Sequence, residues 1–470
     1  MLLSRLARQA WLIVRKRIYF KICMEKKKKN IIVFVMSFAE RYADHIQEYE
    51  KMSDKSYRTM LLRDSRSRTL DKTPKCNFVV ECDFSKPHKI AEALLPYQSE
   101  LLAVTCRTEQ NIARFAQVIP HVPYLRTPTS ESLKWAADKY EMRKRLKLFD
   151  AKNTPKFTWI KENTKKERAR AIDKVRFPMI VKPTNLAGSL FVAICYHEDE
   201  LEKTLGTMFR KLKKAYENDG RIEIPKIIAE EYMEGDQYSI DTYVNARGEV
   251  YHCPLVRQKT ARDIGHDDFY TYLQITPTAL KATTIEKAQV VAETAIHALG
   301  LRSVTAHVEL LRVDDDWKVI EVGPRCGGAR DVLHALSCDI NHTMNDIAIR
   351  IPRKPVIPKK CKGYAAYLKY FGDKEGVIVE TKGMKKIENL ESFHSITVNK
   401  KVGDRSVFAK HGGRAVFVVY LYNPDRSKLL ADIRRLEKMV KVKVSNGRGI
   451  KVDASVKKSA TKKTTVKKKK

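Results

Sequence analysis

The sequence predicts a mixed α/β and α+β protein: a parallel-sheet βαβ unit on the N-terminal side, a central region of long strands and helices, and a small α+β unit beyond it. Three observations carry this. Between Asn30 and Arg126, short apolar runs alternate with segments of helical spacing. The stretch after Ile351, PRKPVIPKK, holds three prolines and reads as a linker. At roughly 150 residues per domain, 470 residues allow about three domains. A composition of 43% hydrophobic and 31% charged residues excludes a wholly disordered chain. The divisions expected are a basic extension over 1–29, the α/β unit over 30–126, a central domain over 127–353, the α+β unit over 358–451 and a polylysine tail over 452–470.

Element by element, strands are expected at Ile31 to Met36, Cys76 to Glu81 and Leu101 to Thr105, with Ile112, Phe115 and Ile119 at helical spacing. No G-x-G-x-x-G occurs, so the first turn carries no dinucleotide fingerprint. A boundary at RTPTS precedes a helix from Glu131 to Phe149, capped by Thr129 or Ser130, on which Trp135, Met142, Leu146 and Phe149 form an apolar stripe. A second helix follows Ile285, Ala288, Ala292, Ala295 and Leu299, with Gly300 at C′. Past the linker, strands are expected near Tyr364 to Phe371 and Ala415 to Tyr422, and a helix with Leu429, Ile433, Leu436 and Val440 on one face.

Lys and Arg number 91 against 56 Asp and Glu, a net charge of +35. An anionic partner is therefore the first expectation: nucleic acid, membrane surface or phosphate. Residues 1–30 contribute +9 and residues 452–470 contribute +7. The first 23 residues, acid-free and carrying Arg5, Arg8, Arg15 and Arg17, fit an organellar presequence, a basic membrane-surface helix, or an extension upstream of a start at Met24. The lysine-rich tail has the composition of a disordered polycation. No apolar run approaches eighteen residues, so no membrane span is expected. Nine cysteines without a C-x-x-C pair read as reduced thiols in a cytoplasmic protein.

The chemistry concentrates in the centre. AHVELLRV (306–313) and WKVIEV (317–322) flank three aspartates. With a three-residue turn, Val313 opposes Trp317 and Glu309 opposes Glu321, on a face otherwise apolar through Leu311, Val313, Trp317 and Val319. Facing carboxylates repel unless they splay into water or share a divalent cation, and Mg2+ or Mn2+ suits such oxygens. A two-residue turn would instead put the acids on opposite faces. GPRCGG (323–328) follows, placing Arg325 among glycines, where it can offset charge on a transferred phosphoryl group. In PMIVKPTNLAGSLFV (178–192), a strand delivers Lys182 to a loop with Gly188 and Ser189, a geometry that can fold over phosphates, although no P-loop motif is present. Lys139 falls on the apolar stripe of the 131–149 helix, where it either snorkels outward or reaches the same phosphates. IIAEEYMEGDQYSID (227–241) joins two strands through Gly235, a connection that can bind adenine through its backbone while acids bind sugar hydroxyls.

In order and spacing, DKYEMRKRL, IVKPTNLAGS, AEEYMEGDQYSID, HVEL and IEVGPRCGG resemble the ATP-grasp superfamily, and within it the L-amino-acid ligase branch. The resemblance extends over residues 30 to about 445 and includes the small C-terminal unit. It implies an ATP-grasp fold and an ATP-dependent carboxylate–amine ligase that proceeds through an acyl-phosphate and releases ADP and phosphate. It further implies that Lys139 and Lys182 contact ATP phosphates, and that the Gly188–Ser189 loop closes over them. Glu230, Glu231 and Met233 would line the adenine site, and Gln237 would stand at a ribose-binding position that is usually glutamate. Glu309 and Glu321 match the magnesium ligands, Gly323 stands where many members have a third ligand, asparagine, and Arg325 matches the arginine at the reacting centre. Arg257, Lys259, His266 and His307 are the substrate-contact candidates. The expected partners are ATP and small carboxylate and amine substrates, with non-specific polyanion contact through the tails; a homodimer is compatible with this. Two rival readings stay open: carboxylation using bicarbonate, as in biotin carboxylase or carbamoyl-phosphate synthase, and a catalytically weak scaffold holding polyanions by its basic ends.

Overall fold

All five residues of the strand Ile31–Val35 are buried, as in a parallel sheet covered on both faces. The computed structural model describes residues 28–67 and 75–445, so the expectations for residues 1–23 and 452–470 lie outside the described residues. Ile31–Val35 sits between Arg58–Asp64 and Leu101–Thr105, with Phe78–Cys82 at the edge, and every pairing is parallel. Arg58–Asp64 (RTMLLRD) is a strand the sequence reading missed, because charged ends leave only Met60, Leu61 and Leu62 as its apolar signature.

The helix expected over 131–149 is two helices, Ser130–Ala137 and Lys139–Phe149. Thr129 caps the first, its side chain accepting from the Ser132 N–H. Asp138 breaks the run by leaving helical geometry and caps the second, accepting from the Tyr140 and Glu141 N–H groups. Met142 and Leu146 are buried as expected, whereas Phe149 at the C-terminal end is exposed. The helix Ala282–Ala298 ends as read, with Gly300 in the left-handed region (φ 61°).

Two antiparallel sheets form the centre. A four-stranded sheet runs Phe157–Ile160, Ile227–Glu231, Met179–Pro183, Ala193–Cys195, backed by Lys165–Val175 and Glu198–Asn218. A nine-stranded sheet runs Asp316–Gly323, Val304–Val313, Asp236–Val244, Val256–Thr260, Thr271–Thr276, Tyr364–Tyr370, Phe417–Asn423, Phe393–Val398, with Val250–His252 beside Asp236–Val244. Thr271–Thr276 pairs with Tyr364–Tyr370, so the strands beyond the proline-rich stretch extend this same sheet. Leu429, Ile433 and Leu436 of the helix Arg426–Met439 pack on that extension.

The cysteine expectation needs correction, because Cys338 and Cys361 form a disulfide. The irregular chain after Ile351 returns to the end of the helix Arg330–Cys338, where the Lys362 and Gly363 N–H groups donate to the Ser337 carbonyl. Among the described residues, no helix is long and apolar enough to cross a membrane.

Candidate active site

The hairpin Val304–Val313 and Asp316–Gly323 decides where the acids point. Its turn has two residues, since Val313 pairs with Asp316 and Arg312 with Trp317. Left alone, that register would separate the acids. A β-bulge intervenes: Leu310 pairs with Val319, Ile320 is the extra residue, and Glu309 comes to face Glu321. The expected pairing therefore holds for a different reason. The bulge also corrects the face assignment, because Trp317 and Val319 point into the core with Ala306, Val308 and Leu310. On the other side His307, Glu309, Leu311, Ile320 and Glu321 line a cavity of about 630 Å³.

Residues from both central sheets enclose that cavity, and Lys139, Lys182, Gly188, Ser189, Glu230, Glu231, Met233, Gln237 and Arg325 also line it. Arg257, Lys259 and His266 do not. Strand alternation turns Gln258 inward and sends its neighbours Arg257 and Lys259 to a separate pocket on the other face. Arg257 pairs there with Asp236 at 2.9 Å. His266 packs edge-on against Phe408.

Charges in the cavity are paired with care. Lys139 opens its helix rather than snorkelling away: it is buried, its Nζ donates to the Leu186 carbonyl at 3.0 Å and lies 3.2 Å from Glu321 Oε2. Lys182 Nζ lies 2.8 Å from Glu230 Oε2. Arg143, fully buried one helical turn after Lys139, takes the same carboxylate in a fork at 2.8 and 3.1 Å, and donates to the Val319 and Ile320 carbonyls at the bulge. Burial alone would raise the Glu230 carboxyl; Arg143 and Lys182 outweigh it and hold it at about 2. Burial also pushes the Lys182 ammonium below its usual value, against the pull of Glu230. Glu230 is thus a counter-ion for two cations, leaving Glu231 at the strand's end and Tyr232 and Met233 on the connection to the next strand to line the cavity beside it.

Glu309 has its own partners: His307 Nε2 at 3.3 Å from Oε1 and Gln237 Nε2 at 3.4 Å from Oε2. Burial opposes its ionisation, yet His307, Arg325 and Arg330 hold it at about 2. Behind His307, Asp241 accepts from the Gly327 N–H at 2.6 Å and from Arg330 Nε at 3.1 Å. A Cβ at Gly327 would sit 2.5 Å from His307 Nδ1, so only glycine allows this approach. Arg325 Nε donates to Glu109 Oε2 at 2.7 Å, a residue from the N-terminal unit. A Cβ at Gly323 would meet that same Glu109 oxygen at 3.2 Å, so Glu109 and Arg325 take the space a side chain at 323 would use. In the loop before Ala193–Cys195, Gly188 and Ser189 are both left-handed (φ 69° and 65°), and the Phe191 N–H donates to the Lys410 carbonyl at 3.0 Å.

Two hard carboxylates facing across a bulge, with lysines and an arginine around them, fit a divalent cation together with a polyphosphate. Sequence reasoning missed Arg143, Asp241, Arg330, Gln258 and Glu109. Arg143 follows Lys139 at i,i+4, and Asp241 follows Gln237 and Ser239 at period two, so both carried a readable signal. Glu109 carried none, since its partner lies 216 residues away.

Residues 175–332 match the family model of the ATP-grasp domain. The fold is shared with the L-amino acid ligase from Bacillus licheniformis (TM-score 0.67, 17% identity, covering 89% of this chain and all of that one). It is shared as well with N5-carboxyaminoimidazole ribonucleotide synthetase from Thermotoga maritima (TM-score 0.61, 15% identity, 88% and 100% covered). Biotin carboxylase from Campylobacter jejuni is a third such structure (TM-score 0.57, 14% identity, 87% and 92% covered). No curated protein sequence matches the chain significantly.

Proposed function

We propose that this chain, an ATP-grasp protein by its fold and by the domain over residues 175–332, is an ADP-forming ligase that joins a carboxylate to an amine. Its substrates on this reading are amino acids or similarly small metabolites. The observation that carries it is the Glu309–Glu321 pair, flanked in one cavity by Lys139, Lys182 and Arg325.

Adenine would lie against Tyr232 and Met233, at the connection between Ile227–Glu231 and Asp236–Val244, with Gln237 near the ribose. Lys139 and Lys182 would hold the phosphates under the Gly188–Ser189 loop. Glu309 and Glu321 would hold magnesium, which when bound offsets phosphate charge. Lys139 has a further use: its ion pair with Glu321 neutralises that carboxylate, and its ammonium would turn toward phosphate where Glu321 holds magnesium. The substrate carboxylate would attack the γ-phosphorus and displace ADP; the amine would attack the resulting acyl-phosphate carbonyl, expel phosphate and give up its proton to solvent or to the departing phosphate. Arg325, aligned by Glu109, would offset charge at the reacting centre. No side-chain nucleophile is required. Gln258 Oε1 is buried without a partner in the cavity and offers an acceptor to the substrate amine.

The test is ADP and phosphate release from the full chain with magnesium, ATP and pools of amino acids. Release that requires both an acid and an amine supports the reading. Release of AMP and pyrophosphate, release that needs only bicarbonate, or no turnover with any pool overturns it.

A further inference from the structure

Away from that cavity, three metal-ligating side chains converge in the core. Cys253 follows the strand Val250–His252, His334 belongs to the helix Arg330–Cys338, and His342 opens the helix His342–Ala348. All three are buried, and one ligand atom from each lies within 4.8 Å of the others. His334 Nδ1 is 2.8 Å from His342 Nε2. The outer nitrogens are each aimed at oxygen: His334 Nε2 lies 3.1 Å from the Pro254 carbonyl, and His342 Nδ1 lies 2.6 Å from Tyr243 Oη.

The Pro254 carbonyl only accepts, so His334 carries its proton on Nε2 and its Nδ1 lone pair faces inward. In the metal-free chain the His342 Nε2–H fills that lone pair. One tautomer change, moving the His342 proton to Nδ1 where Tyr243 Oη accepts it, leaves a lone pair on both inner nitrogens for an ion shared with Cys253 Sγ. Each imidazole would then be oriented by an oxygen partner, as metal-bound histidines are. Bonds near 2.1 Å at a tetrahedral angle would put the inner nitrogens about 3.4 Å apart, against 2.8 Å in the hydrogen bond.

We propose that Cys253, His334 and His342 form a binding site for a zinc-class divalent ion, separate from the catalytic cavity and independent of the ligase reading. A thiolate with two imidazoles selects such an ion over magnesium. Binding releases the Cys253 thiol proton to solvent. Cys338 lies in the same buried cluster with Cys361 packed against it, but the two are tied up as a disulfide, so the fourth position would go to an exogenous ligand such as water. The ion would pin the helix Arg330–Cys338, whose first residue holds Asp241, to the central sheet.

Metal-free full chain titrated with Co2+ tests this. One equivalent should give visible bands of tetrahedral intensity and a near-ultraviolet thiolate-to-cobalt charge-transfer band, and added Zn2+ should bleach both. Cys253→Ser should lose the charge-transfer band, and Glu321→Gln should keep it. X-ray absorption of the zinc-loaded wild type, which needs no variant to fold, should show one sulfur among nitrogen and oxygen neighbours. A wild type without a stoichiometric tetrahedral signal, a charge-transfer band unchanged in Cys253→Ser, or a zinc shell without sulfur overturns the proposal.

Discussion

Replacing Glu230 by glutamine keeps the size and hydrogen-bonding capacity of the side chain and removes the charge that balances Arg143 and Lys182, both buried. The magnitude follows from the carboxyl itself. It is held at about 2 against an ordinary 4.5, and at roughly 1.4 kcal/mol per pH unit that difference is worth about 3 kcal/mol. The expected cost of breaking a buried ion pair from one side, ~3–5 kcal/mol, agrees. Because the folded-state value is depressed, the contribution is present in full above about pH 4.5 and is lost as the pH falls toward 2. Urea unfolding of wild type and Glu230→Gln should therefore differ by about 3 kcal/mol at pH 7, and the difference should shrink between pH 5 and about 2 as the wild-type carboxyl protonates. A variant within about 1 kcal/mol of wild type at pH 7, or a gap that does not change with pH, would refute the ion-pair account.

Glu321→Gln should lower ADP formation at least ~10²-fold while the far-ultraviolet circular dichroism stays that of wild type; unchanged turnover would sink the metal assignment. Arg325→Lys keeps the charge but not the Nε–H that donates to Glu109, and kcat should drop ~10²-fold with the KM for ATP little moved. A purely KM effect would place Arg325 in nucleotide binding instead. Gly327→Ala forces a methyl group to 2.5 Å from His307 Nδ1, and His307 is fixed between Asp241 and Glu309. Thermal unfolding should report a loss of about 1–3 kcal/mol, and a wild-type midpoint would show that this contact relaxes freely.

What the sequence made legible depended on how local each signal was. Alternation and spacing place Lys182, Glu309, Glu321 and Arg325 without tertiary information, because each sits on a strand or just beyond one. The Glu309–Glu321 pairing holds although the turn is one residue shorter than the sequence suggests, because the bulge at Ile320 restores the register. No pattern in WKVIEV announces a bulge; Arg143, donating to the Val319 and Ile320 carbonyls, satisfies the backbone there. Arg257 and Lys259 were attractive for their charge, but period-two alternation puts the neutral Gln258 on the cavity face, so strand phase decided against composition. Asp138 broke a helix that apolar periodicity read as continuous, because a side chain that caps the next turn outweighs the stripe. Glu109 and the Cys338–Cys361 disulfide depend on contacts between distant segments, which no local pattern encodes.

In the proposed reaction a substrate carboxylate oxygen attacks the γ-phosphorus of ATP. Oxygen-18 transfer measures this directly: the carboxylate substrate identified by ADP release is labelled in both oxygens, turned over with unlabelled ATP and amine, and the phosphate is analysed by mass spectrometry. Each released phosphate should carry one heavy oxygen, and AMP none. Phosphate free of label, or label appearing in AMP, would contradict it.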